Sequence, residues 1–257
     1  MNGASSHSEV EMQKLAGKVA LVTGGSRGIG AAIARRLARD GADLALTYRS
    51  GADAAHRVLA DVEATGRTGL AICADSADAR ALRAAVERTA AELGGLDILV
   101  NNAGVFIAKP LDDLTLDDFD RTIAINTRAA FVASQAAARH MAEGGRIISI
   151  GSNLAERVLG PDLSLYSLSK AALIGLTKAL ARDLGPRGIT VNLVHPGSTD
   201  TEMNPSDGPT ADVQRSLMAI PRYGEPGDIA AIVAWLASEE GRFVTGAAFT
   251  IDGGANA

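Results

Sequence analysis

Lys18-Val19-Ala20-Leu21-Val22-Thr23 runs directly into Gly24-Gly25-Ser26-Arg27-Gly28-Ile29-Gly30, and an Ala-, Arg- and Leu-rich stretch follows to about Gly41. The first six residues read as a short buried strand, and the stretch after the glycines reads as a helix. A strand, a glycine-rich turn and a helix in that order build a phosphate site. The glycines let the backbone approach a ligand, and the helix N-terminus offers free N–H groups at the positive end of its dipole. Gly24, Ser26, Arg27, Gly28, Ile29 and Gly30 are therefore expected to bind a cofactor phosphate, although the spacing G-x-x-x-G-x-G differs from the G-x-G-x-x-G dinucleotide fingerprint.

Working outward, residues 43–48 form a second strand. An acid about 20 residues past the glycines would accept from the 2′-hydroxyl of NAD. That place holds Tyr48, followed by Arg49 and Ser50. Two guanidiniums, Arg27 and Arg49, with a hydroxyl and no acid suit the 2′-phosphate of NADP. The alternation continues with a helix at 52–65, a strand at 68–74, a helix at 78–93 and a strand at 97–100. Strands alternating with helices imply βαβ units, a parallel sheet and a site beyond the carboxyl ends of its strands. Asp75 and Ser76 follow the third strand, where Asp75 is placed either to accept from an adenine amino group or to cap a helix. Asn102, Ala103 and Gly104 follow the fourth, where small residues admit a cofactor and asparagines tie loops together.

Thr115 and the acids after it read as a solvated helix entry. The helix they open is expected to reach about Met141, with the amide of Asn126 inside it in need of a partner. Residues 146–150 form a fifth strand delivering Gly151-Ser152-Asn153, and residues 189–194 form a sixth, broken by Pro196-Gly197. Residues 198–225, rich in Pro, Asp, Ser, Thr and Gly, are expected to cover a substrate. A helix at 226–238 and a strand at 247–251 finish the chain.

Between the fifth and sixth strands lies Tyr166-Ser167-Leu168-Ser169-Lys170, in a helical stretch at 163–181. Residues four apart on a helix share a face, about 5–6 Å apart at Cβ. Lys170 is thereby expected to draw the Tyr166 pKa down from about 10, as a general acid acting on a carbonyl oxygen requires.

The chain has 257 residues, 47% of them hydrophobic and 21% charged, with a net charge of −5. That balance suits one large globular domain over 15–257 and argues against a nucleic-acid or anionic-membrane partner. No apolar run approaches the roughly 20 residues of a membrane span. Residues 1–14 are polar and read as a disordered tail, and the whole as cytoplasmic. The single cysteine, Cys73, sits in an apolar run and is expected to be buried. The four histidines are scattered singly, so no metal is expected, and His195 beside Pro196 reads as structural.

Together these residues resemble the short-chain dehydrogenase/reductase family over residues 16–257. The matches are Thr23-Gly24-x-x-x-Gly28-x-Gly30, Asn101-Asn102-Ala103-Gly104, Asn126, Ser152, Tyr166-x-x-x-Lys170, and Pro196-Gly197 followed by Thr201. The resemblance implies a doubly wound, single-domain α/β fold with a seven-stranded parallel sheet, a homotetramer or dimer, and NADP(H)-dependent hydride transfer between a ketone and a secondary alcohol. It implies that Tyr166 donates the proton, Ser152 binds the carbonyl oxygen, Lys170 holds the nicotinamide ribose and Asn126 anchors a relay water. It further implies that Thr199 and Thr201 contact the cofactor. Ser152 lies 14 residues before Tyr166, where many members have 13.

Among members, the chain looks most like 3-oxoacyl-[acyl-carrier-protein] reductases, whose carrier docks on basic residues. Arg187 matches one such position, whereas Glu143 stands near the other and would repel an acidic carrier. Leu154, Val158, Leu159, Leu163, Leu217 and Met218 are expected to wall a pocket for a small or medium, mostly apolar ketone, with Arg157 placed to meet a carboxylate.

Overall fold

The structure, a computed structural model, describes residues 14–257; the expected N-terminal tail, apart from Lys14, lies outside the described residues. Seven strands alternate with helices along the chain: β1 (Val19–Val22), α1 (Gly28–Arg39), β2 (Asp43–Tyr48), α2 (Ala52–Glu63), β3 (Gly69–Cys73), α3 (Ala79–Leu93) and β4 (Ile98–Asn101). Then come α4 (Leu116–Ile123), α5 (Ala129–Ala137), β5 (Arg146–Ile150), α6 (Ser164–Leu184), β6 (Thr190–Pro196), α7 (Ala211–Ser216), α8 (Pro226–Ala237) and β7 (Ala248–Ile251). The strands form one parallel sheet in the order β3-β2-β1-β4-β5-β6-β7. The order reverses at β1, which pairs with β2 on one side and β4 on the other, opening the crevice where such sheets bind ligands.

Both faces of the sheet are covered, so its strands read as continuous apolar runs with alternate residues entering opposite cores. Ala20, Val22, Leu44 and Leu46 pack with Ile33 and Leu37 of α1 and Ile229 and Val233 of α8. Leu21 and Leu99 face the other way, onto Val86 of α3, Val132 of α5 and Leu184 of α6. Trp235 joins the first core from its margin, its ring edge-on to Phe249 with centroids 6.1 Å apart.

Three expectations are corrected here. Cys73 is exposed because β3 is the sheet's edge strand and Cys73 is its last residue. The helix expected to run from 116 to about 141 is interrupted by a π turn over Ala124–Arg128 and stops at Ala137. Two side chains of that turn reach outward, Asn126 to the backbone of Val105 and Thr127 Oγ1 to Ser169 O, and the helix widens by one residue to let them. Thr115 does open α4, through a capping box with Asp118, whose carboxyl is held down at about 2 by Lys109 and by the Thr115 amide and hydroxyl. Met218 and Leu159, expected to wall a pocket, instead pack with Ala211, Tyr223 and Ala255 in a small core of their own.

Leu37 is fully buried between α1, the sheet and α8. Leu37→Ala should lower the unfolding free energy by about 2–5 kcal/mol, read as a lower denaturant midpoint at unchanged slope. A loss below about 1 kcal/mol would show that this core collapses around the missing volume.

Candidate active site

The site is assembled at the carboxyl ends of β1, β4, β5 and β6. At β1, Thr23 is the pivot: its Oγ1 accepts from the amides of Asn102 (3.0 Å) and Ala103 (3.1 Å). Asn102 Nδ2 in turn donates to Thr23 O and Gly24 O, both at 3.0 Å, so the loops after β1 and β4 are stitched together. Gly30 must be glycine, since a Cβ there would collide with Asn102 Nδ2 and with Gly24 O. Ser26, Gly28 and Ile29 complete the turn, and no side chain caps the first turn of α1, which begins after Arg27. An uncapped helix N-terminus behind a crowded glycine turn is a cradle for a phosphate.

Arg27 and Arg49 are both exposed, as is Ser50, with Tyr48 half-buried beside them. The Arg27 guanidinium reaches across β2 to within 4.0 Å of where a Cβ would sit on Gly51, just before α2. Two cations thus border the carboxyl end of β2. Asp75 turns its Oδ1 to the amide of Ala77, and Ser76 is half-buried in that turn; Asp78 caps α3.

Asn126, which the sequence leaves in need of a partner, accepts from Val105 N (2.8 Å) and donates to Val105 O and Ser169 Oγ, both at 3.0 Å. Ser169 Oγ passes the connection on by donating to Tyr166 O (2.7 Å). Gly104 sits against this group, where a Cβ would lie 3.5 Å from both Asn126 Oδ1 and Lys170 Nζ. Ser152 follows β5 in extended conformation and hydrogen-bonds the Tyr166 hydroxyl, while its Oγ accepts from Leu154 N (3.2 Å). Lys170 is buried, its Nζ 5.9 Å from the Tyr166 ring centroid and donating to Ile150 O at 2.9 Å. Asn126, Ser169, Tyr166 and Ser152 are therefore linked in turn, and Lys170 stands beside them, anchored separately to Ile150 O. Beneath this group lies a small cavity lined by Thr23, Asn101, Ala103, Asn126, Ile150 and Leu173.

The expected lowering of the Tyr166 pKa is reversed. Burial pushes the phenol up to about 12 against the opposing pull of the Ser152 hydrogen bond. Burial also brings Lys170 down to about 8. The lysine spends its contact on the Ile150 carbonyl, so desolvation outweighs the attraction that sequence spacing suggested.

Pro196 ends β6, and Gly197 N donates to Ile251 O. Thr199 is buried, donating its hydroxyl to Gly197 O, and bridges to Gly224, while Thr201 lies over the glycine turn beside Gly28. Residues 198–225 carry α7 and are tied by a paired amide contact between Asn204 and Gln214. Met203 and Leu217 are exposed there, as are Val158 in the loop before α6 and Phe106, whose ring stands edge-on to Tyr166 with centroids 4.8 Å apart. Arg157, expected to meet a substrate carboxylate, instead donates to Ala255 O and Ala257 O, both at 3.1 Å.

Sequence reading missed Ser169, Phe106 and the backbone of Val105. A serine between Tyr166 and Lys170 offers no spacing signal, and a single phenylalanine after Gly104 is indistinguishable from core.

The family profile described as enoyl-(acyl carrier protein) reductase matches residues 24–256. The chain is 48% identical over 242 residues to the cyclic-di-GMP-binding biofilm dispersal mediator protein of Escherichia coli (strain K12), covering 94% of this chain and 98% of that one. It is 66% identical to a short chain dehydrogenase from Burkholderia cenocepacia J2315 solved with NADP (TM-score 0.94; 95% and 100% of the two chains). It is 56% identical to a blue fluorescent protein from a metagenomic library solved with NADPH (TM-score 0.94; 95% and 100% covered). The glycine turn, the grouping of Ser152, Tyr166 and Lys170, and these likenesses agree: the chain belongs to the short-chain dehydrogenase/reductase family.

Proposed function

We propose that this protein is an NADPH-dependent carbonyl reductase that converts a small or medium ketone, or a 3-oxoacyl compound, to a secondary alcohol. The observation that carries the reading is the convergence of Ser152, Tyr166, Lys170 and Asn126 at the strand ends. A nicotinamide held here would supply the hydride that the carbonyl carbon takes up. Ser152 donates a hydrogen bond to the carbonyl oxygen, and Tyr166 gives that oxygen its proton as negative charge grows there. A phenol held near 12 stays loaded with its proton at neutral pH. Lys170, less basic than an exposed lysine, holds the ribose and passes a replacement proton toward Tyr166, with Asn126 anchoring the relay water. Gly24, Ser26, Gly28, Ile29 and Gly30 cradle the pyrophosphate. Arg27, Tyr48, Arg49 and Ser50 take the 2′-phosphate, and Asp75 and Ser76 border the adenine. Asn102, Ala103, Gly104, Pro196, Gly197, Thr199 and Thr201 flank the nicotinamide half. The relatives solved with NADP and NADPH support this cofactor.

Residues 198–225 cover the substrate, and exposed Phe106, Val158, Met203 and Leu217 favour an apolar one. Carrier docking is disfavoured: Arg187 spends its guanidinium on Ala138 O and Met141 O, and Glu143 lies over Gly188. Exposed Leu116, Phe119, Phe131 and Leu168 on α4, α5 and α6 leave apolar surface that favours assembly as a homotetramer. No helix among the described residues is long and apolar enough to cross a membrane, and a cytoplasmic location fits. A second reading, a cofactor-binding sensor with little catalysis, draws on the Escherichia coli relative's name; the filled catalytic set favours the enzyme.

Tyr166→Phe keeps the ring and removes the proton. NADPH oxidation with ethyl acetoacetate or an aryl ketone should fall by about 100-fold or more, with acetoacetyl carrier protein no better than the free ester. Wild-type turnover in the variant would end the assignment, and NADPH binding without turnover on any ketone would favour the sensor. Arg49→Ala should weaken NADPH about tenfold to a hundredfold and leave NADH nearly unchanged in binding titrations; equal weakening of both would refute the 2′-phosphate contact.

Burial sets a pH dependence that Lys170→Met should remove. The folded pKa, about 8, lies below the ordinary 10.5, so below pH 8 the lysine is charged in both states and the fold bears the full cost of burying it. Between pH 8 and 10.5 the native lysine loses its proton first and that cost fades. Wild type should therefore gain roughly 3 kcal/mol on Lys170→Met across this window, measured by urea unfolding without cofactor. A flat difference would show that the amine is not held in its depressed state.

A further inference from the structure

His195, on β6, is completely buried behind the loop that carries Ser152. Its Nδ1 accepts from the Ser152 amide at 3.0 Å. Accepting there requires the Nδ1 lone pair, so the ring is neutral with its proton on Nε2. Nε2 is buried with no hydrogen-bond partner among the described residues, an uncompensated donor retained in the core. The preceding residue makes room for the ring, because a Cβ on Gly151 would collide with Nδ1 and lie 2.7 Å from Cε1. Gly151 N itself donates to Val194 O, extending the β5–β6 ladder to the residue before Ser152. Ser152 is then held at two points, its amide by His195 and its Oγ by Leu154 N, with Tyr166 as the remaining partner.

We propose that His195 is a positioning residue for the reduction, a neutral imidazole whose Nδ1 fixes the Ser152 amide and so aims the Ser152 hydroxyl at Tyr166 and the carbonyl oxygen. This role rests on the carbonyl-reductase reading. Burial holds the ring's pKa below its ordinary value against the opposing pull of Glu156 and the Ser152 backbone, with the Lys170 charge acting the same way as burial, which keeps the acceptor lone pair available. Without an acceptor, the Ser152 amide is left unpaired in a buried loop, and the chain after β5 loses the contact that sets its direction.

The test compares His195→Leu, which removes the acceptor, with His195→Asn, whose Oδ1 stands on Cγ as Nδ1 does. With a ketone substrate, kcat of His195→Leu should fall at least about tenfold while the KM for NADPH stays within about threefold; His195→Asn should recover to within about threefold of wild type. In a Ser152→Ala background, His195→Leu should cost no further activity, because the histidine acts through that serine. Wild-type kcat in His195→Leu, equal losses in both variants, or an undiminished loss in the Ser152→Ala background would overturn the proposal. Should His195→Leu fail to bind NADPH, His195→Ala takes its place with the same expectations. The contact is also checked without turnover: nitrogen NMR of imidazole-labelled protein should show the proton on Nε2, and a proton on Nδ1 would overturn it. Wild-type protein inactive on every ketone, or fully active Ser152→Ala, would sink the carbonyl-reductase reading instead, and the tautomer would still decide the contact.

Discussion

The three hydrogen bonds around the Thr23 hydroxyl are the constraint on which the site depends. Thr23 Oγ1 takes the amides of Asn102 and Ala103 and lies 3.4 Å from Val100 O as a donor. Adjacent parallel strands share a ladder, but beyond their carboxyl ends nothing in the sheet holds two loops together. At the point where the strand order reverses, the loops would otherwise part and leave backbone groups unpaired in a half-buried crevice. The threonine and the reciprocal amide of Asn102 close that gap with side chains. The glycine turn then has a fixed wall opposite it, and Gly104 is brought to the Asn126–Lys170 group.

From there the order propagates by polar contacts rather than by packing. Asn126 grips both backbone groups of Val105 and reaches Ser169, Ser169 reaches the Tyr166 carbonyl, and Lys170 reaches Ile150 O. Apart from the Ser169–Tyr166 contact within α6, each partner lies on a different element, so the loop after β4, the end of β5, the π turn and α6 are registered against one another. Buried polar networks of this kind specify one arrangement because any slip leaves a group unpaired.

Much of this was legible in the sequence because it follows from period and spacing. Apolar runs with glycine turns marked the strands, and Tyr166 and Lys170 four apart marked a shared helix face. The need of Asn126 for a partner was readable too, from a lone amide among Ile123, Ile125 and Phe131. The illegible parts depend on quantities a linear pattern does not carry. The exposure of Cys73 follows from β3 being an edge strand, a matter of sheet order rather than of local hydrophobicity. The high Tyr166 pKa reflects desolvation by residues distant in sequence, which overrode the lysine four positions away. Arg157 is spoken for by backbone about 100 residues further on, which no local reading reveals.

The π turn at Ala124–Arg128 has a consequence on the outside of the molecule as well as the inside. One residue more than an α-helix would use rotates everything beyond it by about 100° relative to an uninterrupted helix. Leu116 and Phe119 precede the turn, Phe131 follows it, and all three are exposed apolar side chains. The single extra residue that lets Asn126 reach Val105 and Ser169 therefore also sets the angle at which Phe131 stands relative to Leu116 and Phe119. Inner amide and outer apolar surface are phased by the same insertion. Deleting one residue from this segment would not merely misplace Asn126: it would turn the outer surface of α5 away from that of α4, so the two cannot drift independently as the sequence changes.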